Sequence, residues 1–428
     1  MIYLDHAAAT PVSDKVLEAM KPYFGVDFFN PSAAYLPAKK VAAEYEAAKA
    51  VIAHAIGAKA SDIVITAGAT EANNLAFTAL GEEQILRLGA FRSAAARDLA
   101  PAARGRSPLG TRIAEDGTSE ANGPAGRGPE WSICSVLYLE TEHDSVRRVA
   151  EAHGGVAVKV LPSGVIDLKD LKAKITDDVE LISVALANNE IGVIQPLAEI
   201  AQIIREVKLD RLSRGVKRQL LLHSDASQAL NLLDINVARL GVDLLTLNAA
   251  KIYGPKGVGA LYVSHEVKLS PLSFGGGQEK GLRSGTENVP GVIGFAKAVE
   301  LAHEHLNGNR KKYASWRKIL LDEIKDYKLI NKKHSLDNFI VLCFEGLDAE
   351  RLIYLLEDRE VYVSTGAACA ASKGVRSHVL KAIGLSDEEI AGSLRLTLGE
   401  TNDEAKIHEA ARVINEVVKE ERTRLQNA

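Results

Sequence analysis

A chain of 428 residues exceeds what one ordinary hydrophobic core fills, so two units sharing buried surface are expected. Its 46% hydrophobic and 25% charged residues are the balance of a soluble globular protein. The formal net charge of −4 argues against broad binding to nucleic acid or an anionic membrane, and no apolar run is long enough to span a bilayer.

The first residues, MIYLDHAAATPV, read as a short strand and a turn rather than a secretory signal, since they have no basic start and no long apolar stretch. A helix is expected over 37–57, with Val41, Tyr45, Ala48 and Ile52 on one face. The runs DIVITAG, SVLYLET, VAVKVL, LISVALAN, LLLHSDAS and LLTLNAA then read as buried strands alternating with helical patterns. Near-continuous apolar strands of this kind suit a mainly parallel sheet covered on both faces. Residues 94–130 carry Pro101, Pro108, Pro124 and Pro129 among glycines and few large apolar groups, and are expected to be a disordered insertion. Beyond about residue 265, NFIVLCFEG, VYVSTG and SLRLTLG are strands spaced by longer helices, the pattern of a smaller α+β unit. The expected division is 15–265 for the large unit, and 1–14 with 266–428 for the small one. The last helix is expected to open with a capping box at Thr401–Glu404.

Three cysteines without CxxC spacing argue against a disulfide framework or a structural zinc site, and suit reduced thiols in the cytoplasm. Cys134 and Cys343 sit in apolar runs and read as core. Cys369 differs: STGAACAAS surrounds it with small residues on a loop, where nothing bulky can bury it.

Lys251 follows the apolar run LLTLNAA and precedes a Gly-Pro turn. Such a lysine is more often simply solvated, yet a partly desolvated amine there would be nucleophilic toward a carbonyl. Asp225 ends LLLHSDAS; alone it could be a helix cap. Together the two match a need of pyridoxal phosphate, a lysine for the aldehyde and a carboxylate for the ring nitrogen. Gly68, Ala69 and Thr70 form a strand-to-helix turn able to face an anion. The loop GGGQEKGLRSGTEN, with Arg283 and Thr286, reads as further phosphate contacts, a lid or a flexible surface loop. GPKGVG is no P-loop, because GxxxxGK[ST] is absent.

The order and spacing of YLDHAAATPV, NPSAA, TAGATEANNLA, TEHDSV, NNEIGVIQP, SDASQ, KIYGPKGVGALYV, GGGQEKGLRSGTEN, STGAACAAS and LRLTLG closely resemble the cysteine desulfurases. These are pyridoxal-phosphate enzymes of the class V aminotransferase family, fold type I, and the resemblance spans nearly the whole chain outside 80–133. It implies an α/β fold whose large domain holds a mostly parallel seven-stranded sheet, beside a smaller α+β domain carrying the cysteine loop. It makes Lys251 the Schiff-base lysine and proton shuttle, Asp225 the partner of the ring nitrogen, and His143 the residue stacked on the ring. Asn189 and Gln228 would contact the phenolic side or the substrate. Ala69, Thr70 and Asn248 would lie at the phosphate, and Thr286 would reach the phosphate of a neighbouring subunit in a homodimer. Arg395 would clamp the substrate carboxylate, and Cys369 would take the sulfur of L-cysteine as a persulfide, leaving L-alanine. The acceptor would be a protein, such as an iron–sulfur scaffold. Ala250, Asn248, Tyr35 and Ala38 depart from the family's usual histidine, serine, histidine and glycine, and the first two bear on the phosphate grip. Alternatives are a selenocysteine lyase or another class V enzyme, and, outside catalysis, a degenerate sulfur-assembly scaffold.

Overall fold

The computed structural model describes residues 1–80, 135–365 and 376–427. The expected insertion, Cys134 and Cys369 lie outside the described residues.

Twelve strands occur among the described residues: β1 Ile2–Tyr3, β2 Ile63–Thr66, β3 Val136–Leu139, β4 Val156–Val158, β5 Leu181–Ser183, β6 Leu221–Asp225, β7 Leu244–Asn248, β8 Gly259–Val263, β9 Lys328–Leu329, β10 Phe339–Cys343, β11 Val361–Tyr362 and β12 Ser393–Thr397. Seven of them make one sheet in the order β2-β8-β7-β6-β5-β3-β4. It is mainly parallel, and only β8 runs against its neighbours. The central strands are buried along their whole length, as their unbroken apolar sequences require. VAVKVL departs from that expectation. It supplies β4, the edge strand, where Val156 is exposed and only Val158 is fully covered.

The helix Leu36–Ala55 forms where the 3.6-residue period placed it, with Val41, Tyr45, Ala48 and Ile52 all buried. It lies along the 35-residue helix Val289–Glu323. A second sheet, β12-β10-β9, is antiparallel. Cys343 is fully buried within it, as expected of a core thiol, and burial raises its pKa.

The chain's start pairs far away in sequence. β1 runs parallel to β11, and Asp5 bridges Thr397. The last helix is capped differently from the sequence expectation. Asp403 is its N-cap, accepting the Lys406 N–H at 2.8 Å, while Thr401 Oγ1 lies 2.9 Å from His6 Nε2. The hydroxyl is drawn into a tertiary bond that outcompetes the local cap.

Candidate active site

Parallel strands present their carboxyl ends along one edge of the sheet, where ligands of open α/β sheets bind. Thr66 and Asn248 both pair with Gly259 there, and Asp225 pairs with Thr246 one strand over. The carboxyl ends of β2, β7 and β6 therefore lie close together. Gly259 is required: a Cβ would come within 2.8 Å of Gly68 and block the helix start that docks on the edge.

That helix, Ala69–Ala76, has Gly68 as N-cap, at a φ of 143°. Its first intrahelical donor is Ala72, to Gly68 O, so the N–H groups of Ala69, Thr70 and Glu71 point outward. A Cβ on Gly68 would meet only open space. These groups leave a helix end suited to an anion beside the sheet edge.

Asp225 is buried at the end of β6. Its Oδ1 accepts the Ser227 N–H at 2.9 Å and its Oδ2 accepts Asn73 Nδ2 at 2.8 Å. Asn73 also donates to Ser145 Oγ at 2.8 Å, and Ser145 Oγ stands 2.9 Å from His143 Nδ1. Nδ1 further accepts the Ser145 N–H, which leaves Nε2 to carry the proton of the neutral ring. One hydrogen-bonded chain thus joins the carboxylate to the exposed imidazole. Two residues before Asp225, His223 bridges Ser183 Oγ and Thr246 Oγ1, and burial lowers its pKa to about 4.

Lys251 closes the 3₁₀ turn that follows β7. Its Nζ donates to the carbonyls of Ala7, at 2.9 Å, and Ala8. Gln228 Nε2 donates to the same Ala7 oxygen at 3.0 Å, so the two side chains converge. Asn248 Oδ1 caps the turn by accepting the Ala250 N–H at 3.2 Å.

Arg395 is buried in β12, with Nη2 on Asp5 Oδ1 at 2.5 Å and Nη1 on the Asn189 carbonyl at 2.7 Å. The turn that offers this carbonyl is tied by Asn188, whose Oδ1 accepts the N–H groups of Glu190 and Ile191. Gly192 completes it at a φ of 68°, with the Phe339 ring where a Cβ would go. Residues 5–10 run between Lys251 and Arg395: Ala7 N–H donates to Thr397 Oγ1 and Thr10 N–H to the Ala250 carbonyl.

Sequence reasoning missed several participants. Asn73 is fully buried in mid-helix among Ala72, Leu75 and Ala76, a poor helix former on an apolar face, and that mismatch was its signal. Asp5 and Ser145 gave none. Glu142, beside His143, is buried with Oε1 on the Ala185 N–H at 2.6 Å, and burial followed by the charge of Asp225 raises its pKa to about 8. Glu190 accepts the Ser377 hydroxyl at 2.5 Å, and burial raises its pKa as well. Thr286 is exposed on its loop.

The Aminotransferase class-V family matches residues 2–90 and 133–409. A cysteine desulfurase IscS 1 of Archaeoglobus fulgidus is 34% identical, over 98% of this chain and 97% of its own length. A cysteine desulfurase IscS of Clostridium botulinum (strain Hall) is 33% identical, over 98% and 95%. The chain belongs to the cysteine desulfurases of that family. A solved structure described as a NifS-like protein superposes with a TM-score of 0.78 at 27% identity, covering 98% of this chain and 99% of its own. The cofactor of this desulfurase is pyridoxal phosphate, and the residues fit it. The open helix end suits a phosphate, the doubly bonded Asp225 suits a protonated ring nitrogen, and a lysine amine stands one strand away. No helix among the described residues is long and apolar enough to cross a membrane.

Proposed function

We propose that this cysteine desulfurase moves the sulfur of L-cysteine to the thiol of Cys369, using the residues gathered at the carboxyl edge of the sheet. Cysteine and enzyme thiol become alanine and enzyme persulfide, so atoms and electrons balance without an added oxidant. The observation that carries this reading is the placement of Asp225 and Lys251 at the carboxyl ends of adjacent parallel strands, with the amine turned toward the Ala7 carbonyl beside Gln228.

When bound, pyridoxal phosphate supplies the electron sink for the substrate α-carbon. Asp225, held by Asn73 and the Ser227 N–H, keeps the ring nitrogen protonated. The helix end at Ala69 and Thr70, with Asn248 nearby, holds the phosphate. His143, its orientation fixed through Ser145, would hold the ring. Lys251 anchors the cofactor and moves the proton at the α-carbon. Arg395, oriented by Asp5 and the Asn189 carbonyl, binds the substrate carboxylate. Asn189 and Gln228 bound the substrate side.

The same reading divides the chain into a cofactor-binding unit, 15–265, and a unit of 1–14 with 266–428. It makes the enzyme a homodimer in which Thr286 reaches the partner's phosphate. Phe24, Val26, Phe28, Leu36 and Phe274 support a partner surface, being large apolar side chains left exposed. The persulfide passes to an acceptor protein, such as an iron–sulfur scaffold, in the cytoplasm. Incubation with L-cysteine and a reductant tests the reading: alanine and sulfide should appear in equal amounts, and absence of alanine would refute it. Selenocysteine in a parallel reaction tests the lyase reading, and a colourless purified protein would favour the scaffold.

A further inference from the structure

The glycine-rich loop 275–288 is not held as a surface loop usually is. Glu279 turns inward, and its carboxylate is 5% exposed. It accepts four hydrogen bonds: Tyr45 OH at 2.6 Å and Lys49 Nζ at 3.2 Å on Oε1, and Lys49 Nζ at 3.0 Å and the Ile65 N–H at 2.8 Å on Oε2. Lys49 is buried too. The loop therefore ends in an ion pair set between the helix Leu36–Ala55 and β2.

To make this insertion, Glu279 and Lys280 adopt positive φ values of 46° and 59° in succession. Two neighbouring non-glycine residues in that region are costly, and such a geometry persists only where its surroundings enforce it. The rest of the loop is tied down as well. Arg283 Nε donates to Glu71 Oε1 at 3.1 Å, in the first turn of the helix at the phosphate end. The Gly285 N–H donates to Gln278 Oε1 at 3.0 Å. Beyond these ties Thr286 and Phe274 project into solvent.

We propose that Glu279 is a positioning residue: its buried carboxylate pre-orders residues 275–288 so that Thr286 meets the cofactor phosphate held by a second copy of this chain. This rests on the homodimer reading above. Ordering the loop before assembly spares the entropy that a mobile arm would lose on contact.

The test uses the dimeric holoenzyme and reads cofactor affinity by dialysis followed through absorbance. Amide exchange across 275–288 is measured in parallel. Glu279→Gln should speed that exchange and weaken cofactor binding about tenfold, the scale of one charge-assisted hydrogen bond. In a Thr286→Ala background the same substitution should add no further loss, because its effect runs through Thr286. A merely structural role would leave the added loss in full, and that result overturns the proposal. Unchanged affinity in Glu279→Gln beside a weakened Thr286→Ala overturns it while leaving the homodimer reading intact. Unchanged affinity in Thr286→Ala overturns the reading on which it rests. Glu279→Gln leaves Lys49 a buried unpaired cation, so Lys49→Met with Glu279→Gln is measured beside it as the folded variant and judged by the same outcomes.

Discussion

The side-chain amide of Asn73 and the carboxylate of Asp225 meet at 2.8 Å although 152 positions separate them in the chain. Through this contact the helix that offers its open end to an anion is fastened to the strand that offers a negative charge. Helix and strand thus share one frame at the sheet edge. The amide bonds Ser145 as well, so the orientation of His143 depends on the same side chain.

Asn73→Ala should therefore act on cofactor and ring orientation together. We expect a loss of stability of about 1–3 kcal/mol, the cost of stranding a buried acceptor, and cofactor binding weaker by about tenfold. Thermal denaturation of the apoprotein and a cofactor titration measure the two effects. An unaltered titration would show that the Asn73 bond does not help set the carboxylate.

Replacing Lys251 and Cys369 should separate retention of the cofactor from transfer of sulfur. Lys251→Ala should purify colourless. Cys369→Ala should keep the cofactor's absorbance and lose alanine production by on the order of a thousandfold or more, as removal of a nucleophile does elsewhere. Alanine formed at the native rate by the Cys369 variant would refute its role.

Arg395→Lys should raise the KM for L-cysteine about tenfold if Arg395 binds the substrate carboxylate as proposed, because an ammonium cannot match a planar fork on a carboxylate. The cofactor spectrum should not change. Asp5→Ala should instead show as instability of about 3–5 kcal/mol, since it removes the carboxylate paired with a buried cation. Steady-state kinetics and urea denaturation distinguish the two.

The pH dependence of stability has opposing parts. Burial lowers the pKa of His6 and His223 from 6.5 to about 4. Between those values the unfolded chain binds more protons than the folded one, so stability rises with pH across that window. Glu142 runs the other way. Burial and the charge of Asp225 raise its pKa from 4.5 to about 8, so the folded chain keeps a proton that the unfolded chain releases. Its contribution falls as pH climbs from about 4.5 through 8. Glu142→Gln should flatten the alkaline side, gaining on the native protein as pH rises from about 5 to 9 in denaturant titrations. A parallel decline in both proteins would count against Glu142.

Much of this architecture was legible because buried parallel strands write themselves as apolar runs. Asp225 and Lys251 stand out as the polar residues that end two such runs, and strand pairing then does the rest. What stayed hidden depends on contacts across sequence. Asp5 looks like any turn residue until Arg395 folds onto it. Glu279 sits among glycines that suggest mobility, and nothing local shows that Lys49 waits 230 positions away. Thr401 shows the same limit on a small scale: its spacing to Glu404 fits a cap, but His6 holds its hydroxyl. The edge position of β4 could not be read either, because strand order is a tertiary property.

Residues 4–10 carry a consequence for biosynthesis. They precede the seven-stranded sheet in the chain, yet Leu4 and Ala7 are bonded to Thr397, which follows it. A nascent polypeptide can form much of the seven-stranded sheet during translation, but the site at its edge stays unfinished until Thr397 has been made. Maturation of the enzyme should thus follow formation of the sheet, set by how quickly residues 4–10 and Thr397 find each other.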